Sequence, residues 1–333
     1  MRLFGYAHVP WYFAFTGLVL GSSLARADVL HPIAMRDLSP FSVPHPVLNT
    51  QTRPNDLQVS LDYQLANSQY YKTLGDDSIA LDAQTELVIF SVSAPIDDNW
   101  SYRIEAAYAE VSGGFSDGFI ESWHDTFGLP NGSRDKYAQD VMRLQYQRDG
   151  QLLIDESDAF TGLTDTQAAL QYALSQDAAL NVFVNLPTGD SDTVFGSGSV
   201  DAGVSWQGAY TSESGWRTST QVGVIALGNS GVLEAEARSA AAFGQVAFAW
   251  PASEHIVLKL QLEGHTAYYD SPLSPLGKNA VMLGMGGSIL LGRQWQLDIM
   301  VSEDIAVEAS PDVGLHMRLA FYAVARQGKP HLR

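Results

Sequence analysis

The sequence predicts an all-β fold: a transmembrane antiparallel up-and-down β-barrel of twelve strands with long extracellular loops. Three observations carry this expectation. A two-residue alternation of apolar and polar side chains restarts about a dozen times after residue 56. The connections between the alternating segments are short and long by turns, the asymmetry of a barrel with tight turns on one side of a bilayer and extended loops on the other. After the N-terminal leader, no segment approaches the roughly 20 consecutive apolar residues that a spanning helix needs.

Residues 1–27 read as a secretory signal. Arg2 supplies the positive end, Trp11 to Leu20 a short apolar run, and Ala25-Arg26-Ala27 a small-x-small cleavage site, so the mature chain is expected to begin at Asp28. Residues 28–56 hold Pro32, Pro40, Pro44, Pro46 and Pro54, which disfavours regular structure. A periplasmic tether and a partial plug of the lumen are both compatible with that composition.

Strand candidates follow at 57–66, 79–92, 100–110, 163–174, 179–186, 200–210, 216–227, 239–250, 255–265, 280–291, 295–302 and 312–322. In the last of them Val313, Leu315, Met317, Leu319 and Phe321 alternate with Gly314, His316, Arg318, Ala320 and Tyr322. Trp100, Tyr102, Ile104, Ala106 and Tyr108 oppose Arg103 and Glu105. Ile256, Leu258, Leu260 and Leu262 oppose Lys259, Gln261, Glu263 and His265, and Trp295, Leu297, Ile299 and Val301 oppose Gln296 and Asp298. A soluble sandwich would bury the apolar faces, whereas a membrane barrel turns them to lipid and keeps the polar set inside. Short connections lie at 93–99, 175–178, 211–215, 251–254 and 292–294, long ones at 67–78, 111–162, 187–199, 228–238, 266–279 and 303–311.

Strand parity tests the count, because single-chain bacterial barrels carry an even number of strands. Segments 141–148 and 151–155 also read as strands, joined by the turn-forming pair Asp149-Gly150. Placed as a hairpin in the long outer loop they leave twelve wall strands; placed in the wall they would make fourteen. The barrel then occupies 57–322, with a tail at 323–333. Trp100, Trp206, Trp216, Trp250 and Trp295 fall at or near strand ends, where interface girdles are expected.

Composition narrows the function. The chain has no cysteine, which removes disulfides, thiolate metal sites, cysteine nucleophiles and an acylated lipoprotein junction. Only 17% of residues are charged and mean hydropathy is near zero. The net charge of −18 becomes −20 once Arg2 and Arg26 are removed, which disfavours nucleic acid as a partner.

Several loop motifs carry a family resemblance. Asp117-Gly118-Phe119-Ile120-Glu121-Ser122-Trp123-His124-Asp125-Thr126-Phe127-Gly128-Leu129-Pro130 runs into Asn131-Gly132-Ser133-Arg134-Asp135. Leu186-Pro187-Thr188-Gly189-Asp190, Glu263-Gly264-His265, Tyr269-Asp270-Ser271, Glu303-Asp304-Ile305-Ala306-Val307 and Pro311-Asp312-Val313 follow. Together they resemble the bacterial family catalogued as domain of unknown function 3187 (DUF3187), over nearly all of the mature chain. The resemblance implies an outer-membrane β-barrel of a Gram-negative bacterium and no particular activity. One departure is that barrels of this kind end at the last aromatic of the final strand, whereas this chain continues from Tyr322 to Arg333.

Candidate chemistry falls in three places. On presumed inward positions lie Asp62, Asp82, Glu86, Arg103, Glu105, Lys259, Glu263, Asp298, His316 and Arg318. They read either as a paired charge network filling a narrow lumen or as a selectivity lining for a permeating solute. Closure of the barrel should bring Asp62 near His316 or Arg318. On the outer loops, Trp123, His124, Asp125, Arg134 and Asp135 form the most polar cluster, read as a general base with its orienting acid or as a hydrogen-bonded loop. His265, Tyr268, Tyr269 and Asp270 mark a strand mouth that suits a small ligand or an aromatic rim. Gly189-Asp190-Ser191-Asp192 offers too few oxygens for a calcium loop, and Gly196-Ser197-Gly198-Ser199 lacks the lysine of a phosphate loop. No cofactor and no metal site is expected.

The functional expectation is a channel or transport-associated, porin-like barrel for a small solute. The alternatives are an outer-membrane hydrolase acting on lipid or peptide through His124 or His265, and a structural or adhesive barrel that binds a partner through its outer loops. Expected partners are outer-membrane lipid, lipopolysaccharide and the barrel-assembly machinery.

Overall fold

Alternation of side chains along each strand decides which surface meets which medium. The computed structural model describes residues 27–49, 54, 56–128, 138–228, 231–305 and 309–323, the side chains of 27, 28, 123 and 127 excepted. Of the expected signal segment all but Ala27 lies outside the described residues, as does the tail beyond Ala323. One continuous antiparallel sheet contains β1 (Gln58–Leu74), β2 (Asp77–Pro95), β3 (Trp100–Ser112), β4 (Arg143–Arg148), β5 (Gln151–Glu156), β6 (Phe160–Leu163), β7 (Thr166–Ala173) and β8 (Ala178–Leu186). It continues through β9 (Asp201–Thr211), β10 (Arg217–Ala226), β11 (Ala240–Pro251), β12 (Ile256–His265), β13 (Ala280–Leu291), β14 (Trp295–Asp304) and β15 (Val313–Tyr322). Among the described residues two α-helices interrupt the loops, α1 (Asp117–Phe127) and α2 (Ser274–Gly277).

Twelve strands close the wall. β1, β2 and β3 pair in sequence, β3 pairs with β7, and β7 to β15 pair in sequence. β15 then returns to β1 in a register running from Gln58↔Tyr322 to Asn67↔Val313. Closure leaves no open edge in the wall, the condition for crossing a bilayer with strands. The 141–155 hairpin stands outside the wall, as parity requires. Asp149 and Gly150 both have positive φ, 48° and 76°, as a two-residue primed turn demands. Besides its hairpin partner β5, β4 pairs with the outer extension of β2, Ser78↔Gln147 to Asp82↔Arg143.

Two boundaries differ from the sequence reading. Segment 67–78 is not a loop: β1 and β2 run on to Leu74 and Asp77 and turn through Gly75 at φ 64°. Both faces there carry polar or aromatic groups (Gln69, Tyr70, Tyr71, Lys72), so the apolar beat stops while the backbone pairing does not. Segment 163–174 is broken at Thr164-Asp165, with β6 pairing the outer part of β3 and β7 the inner part.

The outside of the wall is apolar and uncovered. Leu61 is 54% exposed and Phe90 52%, with Val88, Ile104, Val182, Val222, Leu260 and Leu319 also exposed. Trp100, Trp216, Trp250 and Trp295 cluster at the short-turn end, where Trp100 packs on Tyr172 and Trp295 on Phe321 at 4.9 and 5.0 Å between ring centroids. The inside is polar and buried: Ser60, Gln171, Asn181, Ser205, Gln221 and Gln261 all point into it.

The interior is not empty. Residues 29–48 run through it as an extended strap, with Val29, Ile33, Met35, Leu38, Phe41 and Leu48 buried. Gln261 on β12 brackets Ile33, accepting from its N–H at 3.1 Å and donating to its carbonyl at 2.9 Å. Gln64 on β1 donates to the Ala34 carbonyl, Gln167 on β7 and Asn185 on β8 donate to that of Pro46, and Gln221 on β10 donates to that of Leu48, each at 2.9–3.0 Å. These anchors come from opposite sides of the ring. Outside its turn at 39–45, where the Ser39 and Ser42 carbonyls accept from the strap's own N–H groups, the extended stretches cannot satisfy their own carbonyls, so luminal amides do so instead.

Candidate functional site, the occupied lumen

Three ionisable groups of the strap meet wall residues. Arg36 pairs with Glu105 on β3, which also holds Arg103 at 2.8 Å. Asp37 lies 2.9 Å from His265 Nε2 at the outer end of β12. His45 lies 3.0 Å from Asp201 at the outer end of β9, and both side chains are buried. Asp37 also builds the strap's turn, accepting from the Ser39 N–H and from Ser42 Oγ, each at 2.8 Å. Aromatic rings close over this level. His265 stacks on Tyr268 at 4.3 Å and 13°, and His45 packs on Tyr268 and Tyr269 at 5.4 and 5.8 Å. Burial raises the phenol pKa of Tyr268, with Asp37 and Glu263 adding to it, and raises that of Tyr269, with Asp201 adding to it. A small cleft lined by Arg36, Asp37, Glu263, His265 and Tyr268 remains between strap and wall.

The geometry also speaks to hydrolysis. Ser42, Asp37 and His265 are in line, but the aspartate is the middle member: Ser42 donates to Asp37, and Asp37 faces His265. A nucleophilic serine needs the imidazole beside it, so this order orients the strap and does not activate Ser42.

A second charged layer lies nearer the short-turn end. The register places Asp62, Arg318 and Asp298 side by side across β1, β15 and β14. Arg318 Nε is 3.6 Å from Asp62 and its Nη1 3.7 Å from Asp298. Ser60 donates to Asp62 at 2.9 Å, and Ser288 and Gln296 both donate to Asp298. Lys259, 5% exposed, belongs to the same level, and among the described residues its Nζ makes no hydrogen bond. His316 accepts or donates at 2.8 Å to Ser302.

Of the ten predicted luminal residues, Asp62, Arg103, Glu105, Lys259, Glu263, Asp298, His316 and Arg318 face inward. Asp82 and Glu86 do not. On this part of β2 the inward set is Leu81, Ala83, Thr85, Leu87 and Ile89, whose apolar members pack with Leu38, Phe41 and Leu48 of the strap in one buried cluster. The rule that polar side chains face in therefore inverts on the outer half of this strand, because there the lumen contains apolar strap. Asp82 and Glu86 sit on the outer face, where Tyr71 donates to Asp82 at 2.8 Å and Tyr63 to Glu86 at 2.5 Å.

The predicted outer-loop residues scatter. His124 is buried on α1 with Nε2 3.7 Å from Glu303, and Asp125 is exposed. Trp123 lies on α1, its side chain outside the described set, and Arg134 and Asp135 lie outside the described residues. Tyr269 is buried against His45 of the strap and forms no exposed rim. Asp270 is exposed, 3.7 Å from Arg238. The Pro-Thr-Gly-Asp loop is structural: Gly189 N–H donates to Asp165 Oδ1 at 2.9 Å, while the Ser197 N–H and Oγ donate to Oδ2 at 3.0 and 2.9 Å. A Cβ at Gly189 would stand 2.7 Å from the Phe195 carbonyl oxygen, so only glycine fits.

Sequence reasoning did not single out Arg36, Asp37, His45 or Asp201. The signal was present, because Ile33, Met35, Leu38, Phe41, Val43, Val47 and Leu48 make 28–56 too apolar for a solvated tether.

The family model described as "Protein of unknown function (DUF3187)" matches residues 10–322, and the chain belongs to that family. No curated protein matches it. Among solved structures, the COG4313 outer membrane channel from Pseudomonas putida F1 superposes with a TM-score of 0.52 at 12% identity, covering 83% of this chain and 100% of that one. The translocator domain of autotransporter NalP from Neisseria meningitidis gives 0.42 at 10% identity, covering 81% and 89%. The NanC porin gives 0.43 at 8% identity, covering 80% and 100%. At such identities the first likeness shows a shared fold, that of an outer-membrane β-barrel.

Proposed function

We propose that this DUF3187 family member resides in the outer membrane of a Gram-negative bacterium, exported by a leader cleaved after Ala27, and works there as a channel or transport-associated barrel for a small solute. One observation carries the reading. A polar lumen is filled by a separate segment, held through side-chain amides, the Arg36–Glu105 ion pair and two His–Asp contacts and not as a wall strand. A barrel needed only as a scaffold could fill its interior with side chains of its own strands. A segment docked by polar contacts exchanges them for water when it moves, so it suits a gate. Lipid contact through the exposed outer face supports the membrane setting, with lipopolysaccharide and the barrel-assembly machinery as the expected surroundings.

Planar bilayers test this. The intact chain should give rare or small openings, and a variant lacking residues 29–49 should conduct several-fold more. A refolded barrel that passes no ion or solute in either form overturns the channel reading.

A further inference from the structure

The segment between β3 and β4 takes an unexpected path. The strand registers align Ser112, Gln84, Asn67, Val313 and Glu303 in one row across β3, β2, β1, β15 and β14. All five have the outward parity of their strands. The row crosses the β1–β15 closing seam, and residues 113–124 lie along it. A Cβ on Gly114, at φ 71°, would meet the Gln84 side chain at 2.4 Å, and Phe115 N–H donates to Gln84 Oε1 at 3.3 Å. Asp117 accepts from Asn67 Nδ2 at 3.0 Å, and His124 lies 3.7 Å from Glu303. Asn67, Gln84 and Val313 are buried although they face away from the lumen. So α1 lies flat on the exterior of the barrel.

Its height is fixed by the same registers. Four residues from the row toward the short-turn end come Val88 on β2 and Tyr63 on β1; Phe90 and Leu61 lie two residues further. Val88, Phe90 and Leu61 are exposed apolar groups. The row therefore sits just above the apolar band, with Tyr63 and Glu86 marking the boundary. On α1, Asp117, Ile120 and His124 turn to the wall, while Phe119 is 60% exposed and Phe115, just before the helix, 69% exposed.

We infer that α1 is an interfacial helix: it seats Phe115 and Phe119 in the outer-leaflet boundary of the bilayer and ties the barrel's closing seam to the membrane surface. The occupant is lipid and not a protein, because the aromatic face is continuous with the exposed band below it. Aromatic side chains on a surface-lying helix favour this interfacial depth. The inference rests on the membrane-barrel reading proposed above.

The absence of native cysteine allows single nitroxide labels on the full mature chain in phosphatidylcholine vesicles. Labels at Phe119→Cys, Leu61→Cys and Asp192→Cys are compared for collision with oxygen and with a water-soluble nickel chelate. The Leu61 site should be oxygen-rich and the Asp192 site nickel-rich. The Phe119 site should favour oxygen several-fold over the Asp192 site. If Phe119 matches Asp192 while Leu61 stays lipid-like, the helix inference fails and the barrel reading survives. If Leu61 itself is water-like, both fail. A label at Phe115→Cys repeats the measurement where Phe119→Cys does not fold.

Discussion

Arg318 is held between two buried carboxylates, Asp62 and Asp298, on the strands either side of it. Three charges in a row survive desolvation only together, since the arginine offsets the repulsion of the pair. Replacing it with methionine keeps the volume and strands both acids. Arg318→Met should therefore destabilise the barrel by about 3–5 kcal/mol. The urea midpoint of the heat-modifiable gel band measures it, and an unchanged midpoint would show that water already screens this layer. At this scale the sequence was legible where one rule governs a strand. Parity plus closure placed Asp62 near His316 or Arg318 without any coordinates, and the register selects Arg318. It failed at Asp82 and Glu86, because β2 changes its inner lining from Ser91 to Ile89, Leu87 and Leu81 as the strap's apolar residues come alongside. Nothing local to β2 announces that change.

Asp165 governs an element. It ends the run of β6 and β7 and gathers the loop after β8 through three hydrogen bonds from Gly189 and Ser197. Asp165→Ala leaves those donors unmet at about 1–3 kcal/mol each where they stay buried. The wall pairing of β7 with β8 is untouched, so the cost should appear locally, as faster proteolysis within 187–200 with the gel shift retained. Equal protease resistance in the variant would show that the loop is held by its aromatic packing, Phe160 on Phe195 at 5.0 Å. Elements with a strong local code were readable: Asp149-Gly150 fixed the outer hairpin. Helix α1 was not read, although Gly128 at φ 70° supplies the left-handed stop and Pro130 follows it. Of its apolar residues, Ile120 turns to the wall and Phe119 beside it to the exterior, which blurs the helical stripe.

The whole molecule is two constructions that share an interior. Pairing of Gln58–Asn67 with Val313–Tyr322 closes the wall, and no strap residue takes part in that ladder. The strap instead fills the space the wall encloses, apolar against Leu87, Ile89 and Ala109, polar against Gln261, Gln64 and Gln221. Removing residues 29–49 therefore subtracts burial, the Arg36–Glu105 ion pair and two His–Asp contacts without cutting a strand. Glu105 keeps Arg103, but Asp201 and His265 lose their strap partners. The variant should still insert and show heat-modifiable migration, with a lower melting temperature than the intact chain, because water entering the lumen solvates the freed amides but not the uncovered leucines and isoleucines. Circular dichroism melts of both forms in the same detergent give the comparison. A variant that fails to fold at all would mean the strap templates the wall, which is incompatible with a segment that leaves the lumen to let solute pass. Retained folding together with a lowered melt is the signature of a docked, releasable occupant.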